Sequence, residues 1–162
     1  MTEPIATAIA GFLACQEALE VLAALIYGSV ATGRATPDSD IDCLVVVSED
    51  PVPSVVARVR AEFADLQQRL GYTPDPEYPI ELFGLETCRA LLRSSTHDAA
   101  GTGQRPQKPA AAVTLDDAAE LVRALTSPRI AIIDSPVLAE LTGYATSTST
   151  HYEAREEHPD KR

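Results

Sequence analysis

The stretch Ile41-Asp-Cys-Leu-Val-Val-Val47 limits the fold more than any other part of the chain. Its second half is apolar without a break, so a strand built from it is buried on both faces or nearly so. The sequence therefore predicts a strand over 41–47 with helices packed on the sheet around it. The entrance to that strand is different in kind. Asp40 and Asp42 lie two residues apart, which in an extended chain puts both carboxylates on one side and sends Ile41 and Cys43 to the other. Two anions so placed repel each other and raise each other's pKa in a desolvated site. A divalent cation removes that penalty, and paired hard oxygens suit Mg²⁺, which keeps several waters and borrows its remaining ligands from substrate phosphates.

Hydrophobic spacing supplies the other elements. Ile5, Ile9, Phe12, Leu13, Leu19 and Leu22 predict an amphipathic helix within 5–25, and 24–27 a short strand ending at Gly28-Ser29 with a helical turn after it. Val56, Val59, Phe63, Leu66 and Leu70 predict a helix that stops at Gly71. A strand over 78–85 carries Glu81 between Ile80 and Leu82, and a short helix covers 87–93. Ser, Thr, Gly, Pro and Gln dominate 94–110, which reads as a mobile loop. Leu115 to Leu125 regains helical spacing behind a Thr114 cap, with Asp117 placed for a capping box. A strand over 129–133 and a short helix over 136–141, ending at Gly143, complete the pattern. The expectation is an α/β fold, a small mixed β-sheet packed with helices, in one domain over 1–143, with a flexible acidic tail over 144–162.

Charge narrows the partners. Thirteen Lys and Arg against 24 Asp and Glu give a net charge of −11, which disfavours nucleic acid and anionic membranes. A nucleotide binds such a chain only where metal ions or aimed backbone N–H groups reverse the local field. Cys15, Cys43 and Cys88 are odd in number and in apolar surroundings, as reduced core residues are. No charged leader precedes Arg34, no apolar run approaches the ~20 residues of a membrane span, and no asparagine offers a glycosylation site; a cytoplasmic location is expected.

Gly28-Ser29 closes one strand and opens a turn, where unpaired N–H groups and a hydroxyl can face an anion and where glycine lets the backbone approach closely. Ten residues, Val30 to Ser39, separate Ser29 from Asp40. Gly-Ser, this spacer, Asp-x-Asp and then Ile80-Glu81-Leu82 together resemble the DNA polymerase beta nucleotidyltransferase superfamily. Within it the pattern is most similar to the minimal nucleotidyltransferases, including the nucleotidylating members of toxin-antitoxin pairs.

The resemblance implies that Gly28 and Ser29 contact the β- and γ-phosphates, that Asp40 and Asp42 bind two Mg²⁺ ions, and that Glu81 is the third carboxylate. Many members carry aspartate at that last position, and Glu77 is the fallback. Arg34, the cation of the loop, would steady the phosphate tail. The implied reaction moves the nucleoside monophosphate of a triphosphate, AMP from ATP, onto a hydroxyl, and pyrophosphate leaves. Residues 95–162 offer too little for an acceptor domain, so a second chain is expected to complete the site, with a tyrosine of a partner protein as acceptor. The alternatives are an antibiotic or other small-molecule acceptor, in an oligomer that shares its cleft, and a non-catalytic nucleotide- or partner-binding module.

Competing motifs fail on chemistry. Gly28 and Gly33 have P-loop spacing, but Arg34 and Ala35 replace the lysine and the metal-binding hydroxyl. Gly101-Thr-Gly103 lacks the third glycine of a dinucleotide fingerprint. His97, His151 and His158 lie in the loop or the tail, and no Gly-x-Ser-x-Gly is present, so a serine hydrolase is not expected.

Overall fold

A computed structural model describes residues 2–97 and 115–156. In chain order the elements are α1 (Thr2–Ala14), β1 (Val21–Ile26), α2 (Gly28–Ala31), β2 (Cys43–Val47), α3 (Pro53–Arg69), β3 (Glu81–Gly84), α4 (Leu85–His97), α5 (Leu115–Thr126), β4 (Ile130–Ile133) and α6 (Pro136–Glu156). The sheet order is β3-β2-β1-β4. β1 runs antiparallel to both β2 and β4, whereas β2 and β3 are parallel, so the sheet is mixed as expected.

Every residue of β2 is buried to 1% exposure or less, which is what its unbroken apolar run demands. Alternation divides the central strands between two cores. Leu25, Leu44 and Val46 face Leu92 of α4, Leu121 and Leu125 of α5 and Leu141 of α6. Ile26, Val45 and Val47 face Ile9 and Leu13 of α1 and Val59 and Phe63 of α3. Helices thus cover both faces, and the ends of the strands are left for chemistry.

Several boundaries move. The first helix ends at Ala14, followed by tight turns through Cys15 and Gln16 (N–H groups donating to Phe12 and Leu13 carbonyls), and Leu22 belongs to β1. Val21 pairs with Val47, so ladder formation overrides a helical spacing that Leu19 and Leu22 shared by coincidence. Ladder pairing in β2 begins at Cys43, leaving Asp40–Asp42 just ahead of the strand. α4 runs on to His97, because the Ser94 and Ser95 hydroxyls bond back to the Leu91 carbonyl; the remainder of the expected loop, and Thr114, lie outside the described residues.

The largest difference is α6. It passes through Gly143 and continues to Glu156, where the sequence predicts a helix end and a flexible tail from 144. Leu138, Leu141 and Ala145 form one buried stripe across the glycine. The hydroxyls of Thr142, Thr146 and Ser147 bond to carbonyls four residues back, which spends their polarity within the helix. Residues 157–162 of that tail lie outside the described residues. No described helix is long and apolar enough to cross a membrane.

Candidate active site

The C-terminal end of β1 and the N-terminal ends of β2 and β3 meet at one edge of the sheet, beneath α5. A cavity of about 410 Å³ opens there, with Asp40, Asp42 and Glu81 all on its wall. Asp40 and Asp42 are partly exposed while Ile41 between them is buried, so the alternation read from the sequence holds just outside the strand. The Tyr27 N–H donates to the Asp42 carbonyl at 3.1 Å and continues the β1–β2 pairing to this point. Glu81 opens β3 opposite Leu44 of β2, so the parallel register places it beside the aspartates.

Gly28 lies directly against this acid pair. Its φ is +68°, and a Cβ added there would stand 1.9 Å from Asp42 Oδ2. The glycine is therefore needed to seat the Asp42 carboxylate, a role separate from the phosphate approach that the sequence suggested. Ser29 follows in the first turn of α2 and is not on the cavity wall. Arg34 is exposed and off the wall as well, with its Nε donating to Thr32 Oγ1 at 3.2 Å. Glu77 is also off the wall, its backbone N–H held by Asp75 Oδ1 at 2.8 Å.

The cavity also gathers residues that the sequence reading missed. Tyr27 Oη donates to Glu120 Oε1 at 2.6 Å. Arg123 Nη2 reaches Asp42 Oδ1 at 3.1 Å and Glu120 Oε1 at 3.2 Å, and its guanidinium sits 5.4 Å from the centre of the Tyr27 ring. Glu120 and Arg123 are three apart on the polar face of α5. Apolar spacing locates that helix but says nothing of what its other face meets. Gln67 was missed too, although a signal was available: it stands four residues after Phe63 on the buried stripe of α3, where an apolar residue is expected.

Burial lifts the Asp42 carboxyl to about 6; the neighbouring Asp40 charge adds to the rise and Arg123 opposes it. Burial likewise lifts Glu81 to about 7, against the pull of Arg60 and with the added push of Glu120, Asp117 and Asp75. Among the described residues, no group of three His, Cys, Asp or Glu side chains is drawn together as a ready-made metal centre. The donor chemistry nevertheless fits a hard divalent cation. Partly desolvated carboxylates share one wall and Arg123 reaches only Asp42, so an ion completed by phosphate and water oxygens would relieve the remaining charge.

A mixed four-stranded sheet with helices on both faces matches the nucleotidyltransferase fold of similar solved structures. Residues 12–82, which include Gly28, Asp40, Asp42 and Glu81, match the family model described as nucleotidyltransferase domain. Over those residues, which are less than half of the chain, it is similar to a nucleotidyltransferase domain, the enzyme class that its motifs implied. Among solved structures it is similar to one described as a toxin-antitoxin with AMP-PNP, at 12% identity over 93% of this chain and 89% of that one, TM-score 0.52. A mutant MntA-HpeT toxin-antitoxin is similar at 10% identity over the same shares, TM-score 0.52. A third is a complex of tri-AMPylated Shewanella oneidensis HEPN toxin with MNT antitoxin, at 12% identity over 96% and 90%, TM-score 0.50. At these identities the likeness is one of fold. No curated protein matches the chain.

Proposed function

We propose that this protein transfers AMP from ATP to a hydroxyl group on a partner protein, with Mg²⁺ bound by Asp40, Asp42 and Glu81. The observation that carries the reading is that these three carboxylates, at the entrances of adjoining strands, line one cavity, with Gly28 packed against Asp42. Bound Mg²⁺ would neutralise the charge of the phosphates and of the oxygens entering and leaving at the α-phosphorus. The chain's own residues hold the reactants and move the proton. The acceptor oxygen bonds to the α-phosphorus, the bond to pyrophosphate breaks, and Glu81, whose burial tunes it toward neutrality, receives the acceptor's proton. Ser29, at the start of α2, would hold the phosphate tail. Arg123 takes the charge-steadying role first assigned to Arg34, because it is the guanidinium on the cavity wall.

A protein acceptor is supported by the toxin-antitoxin assemblies among the similar folds, one with AMP-PNP and one with an AMPylated toxin. A net charge of −11 also suits a basic partner better than nucleic acid. The test is to incubate the protein with α-labelled ATP, Mg²⁺ and lysate of its own host. Label on a protein at a hydroxyl side chain is the expected result. Label confined to a small molecule would replace the acceptor, and no label at all would remove the reading.

A further inference from the structure

We infer that Gln67 is the positioning residue that sets the spacing between the two halves of the acid set; this rests on the nucleotidyl-transfer reading above. α3 turns Val59, Phe63 and Gln67 inward at four-residue steps, each fully buried. A primary amide in that row needs partners for both of its ends, and it finds them on two different chain segments. Gln67 Oε1 accepts from the Ile41 N–H at 2.7 Å, and Gln67 Nε2 donates to the Pro79 carbonyl at 2.9 Å.

Those two backbone groups are informative. Ile41 is the residue between Asp40 and Asp42, and Pro79 stands two residues before Glu81. The parallel ladder of β2 and β3 starts only at Leu44 opposite Glu81. Upstream of that first pair the chains carry the aspartates on one side and Pro79-Ile80 on the other, and the Gln67 amide spans them where rungs would otherwise stand. Ile41 and Ile80, each 1% exposed, root both segments in the core beside it. Fixing the Ile41 nitrogen fixes the base of both aspartates, and fixing the Pro79 carbonyl fixes the approach to Glu81. One side chain thus governs a distance that no continuous element controls.

The experiment compares the parent with Gln67→Met, which keeps the volume and removes both bonds, and with Gln67→Glu, which keeps the shape and the acceptor for Ile41 but can donate to Pro79 only when protonated. Melting curves first establish that each variant is folded. The clamp predicts faster hydrogen exchange at the Ile41 amide in Gln67→Met than in the parent. It also predicts roughly ten- to a hundredfold weaker Mn²⁺ binding, as for other groups that orient metal ligands. In turnover, kcat falls by a similar factor while KM for ATP changes little, and Gln67→Glu lies between. A folded Gln67→Met with the parent's Ile41 protection, Mn²⁺ affinity and kcat overturns the clamp. A parent that neither binds Mn²⁺ nor transfers label from α-labelled ATP in lysate of its own host, which supplies the acceptor, overturns the transferase reading instead, and Ile41 exchange then still decides whether the clamp exists.

Discussion

The two walls of the cavity hold their charged groups in opposite ways. On the strand wall, Asp40, Asp42 and Glu81 grow from backbone that is rooted on either side by buried residues: Ile41, Cys43, Ile80 and Leu82. Gly28 fits beneath Asp42 with no room for another atom. On the helix wall, Glu120 and Arg123 of α5 hold each other and reach across, and the Arg123 side chain is 55% exposed. The first wall is set by the core and cannot shift without unpacking it. The second is a surface ion network, able to re-pair when a ligand brings new charge. Under the proposed function, the strand wall would determine the chemistry and the helix wall would adjust the field around it.

The strongest way to break this division is to cut the strand wall. Asp42→Ala should abolish pyrophosphate release, by more than the roughly 10- to 100-fold typical of losing a group behind a metal ligand. The melting temperature should not fall, because the substitution also relieves repulsion from Asp40. Pyrophosphate assay beside a melting curve measures both, and a variant as active as the parent would refute the assignment.

Gly28→Ala comes next, and Gly33→Ala is its control. Both glycines have nearly the same positive φ, +68° and +69°, so both alanines should cost about 1 kcal/mol or somewhat more of stability through backbone strain. Only at Gly28 does the added Cβ collide with Asp42; at Gly33 nothing lies within 4 Å. Activity should therefore collapse in the first variant and persist in the second. Equal losses would mean that strain in the turn, rather than the seat of Asp42, is what matters.

On the helix wall a cut should be milder. Arg123→Ala removes an exposed partner of Asp42, and exposed ion pairs contribute about 0–1 kcal/mol, so the melting temperature should barely move. KM for ATP should rise by about tenfold or less, as the loss of about one kcal/mol of charge complementarity implies, with kcat changed less. A kcat loss as large as that of Asp42→Ala would erase the distinction between the walls.

How much of this was legible depends on which wall is asked about. Part of the strand wall could be read from one dimension, because alternation in extended chain puts Asp40 and Asp42 on one side, whereas Glu81 entered only through the family resemblance. The helix wall could not, because the pairing of Arg123 with Asp42 spans 81 positions and no local rule links them. Arg34, chosen for its nearness along the chain, lies off the cavity wall, where Arg123 stands instead. Gly143 misled through propensity, since a glycine that ends an isolated helix is carried through when Leu141 and Ala145 pack on either side of it.

The smallest expected effect is on stability against pH, and it sharpens the comparison without any assay of activity. The Asp42 and Glu81 carboxyls sit at about 6 and about 7 in the fold, against ordinary values of 3.8 and 4.5. Between those limits the folded chain holds more protons than the unfolded one, so their contribution to stability is present at low pH and is lost as pH rises from about 4 to about 7. The remaining carboxylates of a chain with a net charge of −11 also respond to pH, so the informative quantity is the difference between the parent and an Asp42→Asn, Glu81→Gln double variant. That difference in melting temperature should favour the variant, most of all at pH 8. Mg²⁺ should erase it by stabilising the parent alone. A cation that raised both proteins equally would place the binding of the ion outside the strand wall.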